Sequence, residues 1–127
     1  MTIDPAIALR LQFLVRVVRK ERMYLEGTDR RLFGEPFTQA RAGQLETDAE
    51  LAERVEAFVA RFGRLQDTLG DKLLPVLLAA LGESPGAAID NLDKAERLEL
   101  IASADEWMAI RKLRNQMVHE YVEDPVV

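Results

Sequence analysis

The sequence predicts an all-α protein: one domain over residues 1–127, folded as an antiparallel bundle of four main helices plus one short one. Three observations carry that expectation. Apolar residues recur every three or four positions in each periodic segment, and no segment alternates as a half-buried strand would. Capping residues and Gly or Pro punctuate the chain at helix-length intervals. With 127 residues, 48% of them hydrophobic, the chain is long enough to bury a core without covalent staples.

The elements follow in order. Asp4 caps and Pro5 suits the first turn of the first helix, in which Ile7, Leu11, Leu14, Val18 and Leu25 form one stripe that Phe13, Val17 and Tyr24 widen. Gly27 is expected to end it. Residues 27–46, with Gly27, Gly34, Pro36 and Gly43 among polar neighbours, read as a long connector, free to move or to serve a partner. Thr47 and Glu50 make a capping box for the second helix, where Leu51, Val55, Phe58, Phe62, Leu65 and Leu69 keep a helical rhythm. Pro75 then imposes either a kinked continuation or a separate short helix closed by Gly82. After a loop through Asn91, Leu92, Ala95, Leu98 and Ile101 mark a short helix. Ser103 with Glu106 caps the last helix, expected to reach about Tyr121, and Pro125 stops anything longer.

Composition narrows the function classes. The chain has no cysteine and one histidine, which excludes a disulfide framework and a Cys/His zinc cluster, and no metal or cofactor is expected. The longest apolar run, Leu73–Leu81, contains Pro75 and is too short to span a bilayer, so a cytoplasmic protein without a membrane partner is expected. Charge is unevenly spread. Residues 1–41 carry eight Lys/Arg against five Asp/Glu, whereas residues 42–127 carry nine against seventeen. The basic cluster of Arg16, Arg19, Lys20 and Arg22, followed by Arg30 and Arg31, is either a solvated helix face or a rim that attracts phosphate. The acids Asp48, Glu50, Glu53 and Glu56 read as a helix start and its solvated face.

The chemistry-bearing stretch is Arg114-Asn115-Gln116-Met117-Val118-His119-Glu120-Tyr121. His119 is the one imidazole, hence the one side chain with an unperturbed pKa, about 6.5, suited to proton transfer near neutrality. At about 100° per residue, Trp107, Ile110, Val118 and Tyr121 lie within roughly 40° of Arg114, so the arginine sits mid-stripe. A guanidinium there needs an anionic partner, and Asp67 on the second helix is a candidate. His119 lies about 140° round, at the margin, with Asn115 as its i−4 neighbour to orient the ring.

Arg-Asn-x-x-x-His-x-Tyr near the end of the last helix of a small helical protein resembles the Arg-x4-His-x-Tyr motif of the HEPN superfamily, and more narrowly the HepT-type toxins, which also carry a polar residue after the arginine. The resemblance implies a metal-independent endoribonuclease acting as a homodimer whose two motifs face one cleft. Arg114 would clamp phosphate oxygens, His119 would serve as general acid or base, and Asn115 would orient the ring or bind phosphate. It also implies that Tyr121 is adenylylated by a partner nucleotidyltransferase antitoxin, whose AMP phosphate would compete with RNA for Arg114. One imidazole cannot begin as both acid and base, and a two-fold axis would supply the second. The alternative is a non-catalytic helical companion of a minimal nucleotidyltransferase, holding a nucleotide or a partner helix on the same face.

Overall fold

Helix α1, Pro5–Phe33, runs 29 residues and passes straight through Gly27. It starts as expected, with Asp4 Oδ1 accepting the amide of Ala6 at 2.7 Å. The structure, a computed structural model, describes the backbone of residues 3–120 and the side chains of residues 3–117. An interior glycine costs a helix about 1 kcal/mol, and burial of Thr28 and Leu32 just beyond Gly27 outweighs that. Arg61, reaching over from the next long helix, donates to Thr28 Oγ1 and to the Tyr24 carbonyl, which fixes the turn on both sides of the glycine.

The expected long connector therefore shrinks to residues 34–38. Thr38 caps a short helix α2, Gln39–Ala42, and a 3-10 turn follows at Gly43–Glu46. Arg41 donates to the carbonyls of Leu32 and Glu35, satisfying the end of α1, while Ala42 is buried and Phe37 and Leu45 pack on the core. Helix α3, Ala49–Asp67, is capped by Asp48, which accepts the amide of Leu51 at 3.0 Å. Thr47, the expected cap, donates instead to the Gln44 carbonyl.

Pro75 has no amide hydrogen and its ring would clash in a regular helix. The chain answers with a π-helical turn at Thr68–Leu73, which leads without a break into α4, Leu74–Ala80, so of the two alternatives the continuation is the one that forms. Gly82, at φ 82°, closes α4: its amide donates to Ala79 O, and the next amide, of Glu83, donates to Leu78 O. Helix α5, Ala88–Arg97, begins four residues before the expected Leu92, because buried Asn91 bonds both the amide and the carbonyl of Gly86 and pins the loop. Helix α6, Ala104–Glu120, starts where Ser103 Oγ accepts the amide of Glu106.

The described residues are helical with no strand. Two apolar clusters hold the helices together. Leu32 of α1 packs with Leu51, Val55 and Val59 of α3, while Leu74 and Leu78 of α4 pack with Leu92, Ala95 and Ala104. Helix α6 lies on α3 and α5. No helix among the described residues is long and apolar enough to cross a membrane.

Candidate functional site

Helix α6 approaches α3 closely because glycines meet its two largest inward side chains. A Cβ on buried Gly63 would lie 2.7 Å from Arg114 Nη1 and 2.8 Å from its Cδ, so the arginine stem occupies the space a side chain would take. Seven residues along, a Cβ on Gly70 would meet the Trp107 ring at 3.4 Å. Trp107 and Arg114 are also seven apart, two turns of an antiparallel neighbour, so glycines and large side chains interlock in register. The backbone carbonyl of Trp107 accepts from the buried Gln66 side chain at 3.3 Å, fixing the upper half of the contact.

The lower half is held by charge. Arg114 donates from Nη2 to Asp67 Oδ1 at 2.9 Å and from Nη1 to Oδ2 at 3.2 Å, a planar two-point pair. Arg111 makes a looser fork to Asp71, at 3.3 and 3.4 Å, and comes within 3.8 Å of Asp67. The candidate carboxylate for Arg114 is thus the one that holds it. Its side chain is only 13% exposed, whereas that of Asp67 is 44% exposed. The Nε hydrogen of Arg114 is buried without an acceptor, and Gln66 Oε1 in the same contact is buried without a donor.

Beside Arg114 opens an apolar recess of about 150 Å³ between the two helices, lined by Phe58, Phe62, Ile110, Leu113 and Met117. Asn115 is exposed on the opposite flank of α6. The backbone of His119 continues the same helix, five residues on from Arg114, but its side chain lies outside the described residues. Tyr121 lies outside them altogether. Of the predicted site, Arg114 and Asn115 are therefore placed on one helix with the His119 backbone.

Gly63 and Gly70 were not anticipated as part of this arrangement, and neither was the Arg111–Asp71 pair. A glycine inside the strongly periodic segment 51–69 was the available signal, since helices tolerate one there chiefly when another chain element must come close. No protein-family model, curated protein or solved structure matches this chain.

Proposed function

We propose that this chain is a metal-independent endoribonuclease of the HEPN type, acting as a homodimer and silenced by a nucleotidyltransferase antitoxin that adenylylates Tyr121. The observation that carries the reading is the spacing Arg114-Asn115-x-x-x-His119-x-Tyr121 in the sequence, with Arg114, Asn115 and the His119 backbone on one helix. In the reaction the RNA 2′-hydroxyl gives up its proton to an imidazole and its oxygen attacks the adjacent phosphorus. The bond to the 5′-oxygen breaks, that oxygen takes a proton from the second imidazole, and a 2′,3′-cyclic phosphate remains on the upstream fragment.

Arg114 stabilises the charge that builds on the phosphate oxygens. To do so it must exchange the Asp67 carboxylate for a phosphodiester, two anions that present paired oxygens to the same planar fork. The unfilled Nε donor favours this exchange, because a phosphate spanning Nε and Nη2 would satisfy a hydrogen that Asp67 leaves unpaired. Asn115 supports the imidazole from one turn away.

A second reading rests on the same pair. An arginine 13% exposed and doubly bonded to Asp67 is also what a purely structural helix contact looks like, and this favours the non-catalytic nucleotide- or partner-binding companion. The two readings part on product chemistry. The nuclease yields fragments ending in 2′,3′-cyclic phosphate, undiminished by EDTA, and His119→Ala abolishes them. A companion subunit leaves varied RNAs intact with or without the histidine.

A further inference from the structure

We propose that the outer face of α1, with the adjoining edge of α3, is a docking surface for single-stranded RNA, separate from the α6 motif. It rests on the nuclease reading only for the choice of polymer. Taking about 100° per residue, Arg19, Lys20, Arg30 and Arg31 all lie within roughly 60° of Arg16. These five cations are exposed, and none belongs to an ion pair among the described residues. The acids of the helix, Glu21, Glu26 and Asp29, fall outside that sector, and the intrahelical pair Arg22–Glu26 sits on its flank. Among the residues of α1 this sector carries no acid, although Arg31 at its end shares a recess with Glu35, Asp48 and Glu50, and on a chain of net charge −5 it is complementary to a polyanion.

The edge of the sector fits the same polymer. Tyr24 is exposed there, with the Arg61 guanidinium 5.7 Å from its ring centroid. Glu21, Tyr24, Arg61 and Arg64 surround a recess of about 230 Å³. An apolar cavity of about 150 Å³ accepts benzene, so this recess accommodates a nucleobase ring against the tyrosine. One carboxylate oxygen of Glu21 is buried without a donor, leaving hydrogen-bonding capacity that the protein itself does not fill. Cations along a helix with an aromatic platform at their margin are what a flexible nucleic acid strand uses: charge for the backbone, a ring for a base.

An anionic membrane is the competing partner, because Leu9 (67% exposed), Phe13 and Met23 (58% exposed) share the sector. They do not form a continuous apolar stripe. Arg16, Arg19 and Lys20 separate Leu9 and Phe13 from Met23. The base-sized recess also has no use on a lipid surface.

The test measures fluorescence anisotropy of a labelled 2′-O-methyl oligoribonucleotide of roughly twelve nucleotides, which lacks the attacking hydroxyl and so reports binding alone. For the wild-type chain the logarithm of affinity is expected to fall with the logarithm of salt concentration, by about 0.7 for each backbone contact. The variant Arg16→Ala/Lys20→Ala/Arg31→Ala lowers that slope by about 2 and weakens binding at least tenfold at low salt. Tyr24→Ala weakens binding about tenfold with the slope unchanged. The proposal is overturned if the triple variant and Tyr24→Ala both bind like the wild type. It is equally overturned if the wild type ignores the oligonucleotide and binds phosphatidylserine vesicles instead. Intact α1-dependent binding in a protein that leaves ordinary RNA uncut would sink the nuclease reading and leave this one standing.

Discussion

Arg114 shows how much one side chain depends on what a neighbour lacks. Its stem fills the volume above Gly63, and its head is gripped by Asp67. Gly63→Ala should therefore destabilise the protein by about 1–3 kcal/mol through overcrowding. In an Arg114→Ala background the same change should be neutral or stabilising by up to about 1 kcal/mol, as helix propensity alone would have it. Chemical denaturation of the four proteins of this cycle measures the coupling. Residue-scale strain appears once more at Glu99, which has φ 60° at the end of α5. The amides of Glu99 and Leu100 bond back to Glu96 and Ala95 in the pattern that Gly82 and Glu83 use at the end of α4, but here the left-handed position carries a side chain. Glu99→Gly should stabilise the fold by about 1 kcal/mol, read as a rise in the denaturation midpoint. The Arg114–Asp67 pairing was legible in the sequence because a charge at the centre of an apolar stripe demands a counter-charge. The role of Gly63 was not, because a close approach between helices is a property of two elements together.

At the scale of elements, glycine and proline do not by themselves decide where a helix stops, because packing and local backbone adjustment carry the chain through them. Gly27, the expected end of the first helix, is carried inside α1 by buried Thr28 and Leu32, and Pro75 follows a π-helical turn that joins α3 to α4. The segment 34–46 is tied down rather than free, since Arg41 closes the end of α1 through two carbonyls. Arg41→Met should cost about 1–2 kcal/mol and raise hydrogen exchange in the last turn of α1, leaving α5 and α6 unchanged. Segments with caps and unbroken apolar rhythm were readable directly. Asp4 and Ser103 start their helices where expected, and Leu51 and Val55 are core. The start of α5 was hidden because Asn91, a residue that favours loops, is buried there as the anchor of its own loop.

At the scale of the molecule, α3 divides two surfaces. On one side α6 holds Arg114 beside an apolar recess, and on the other α1 turns its cations outward. An enzyme assembled this way would grip its substrate broadly on one helix and act through another, and a two-fold partner would supply the second imidazole that one chain lacks. On the proposed reading the guanidinium held by Asp67 can be handed to a phosphodiester. The decisive measurement is cleavage of one RNA by the wild type, Asp67→Asn and Arg114→Ala, compared side by side as kcat and KM. Arg114→Ala is expected to lose at least about a hundredfold in kcat/KM, while Asp67→Asn keeps its kcat and shows a lower KM because the arginine is released to the substrate. The proposed handover is contradicted if the wild type leaves the RNA whole, or if both variants lose stability alike while neither changes the rate.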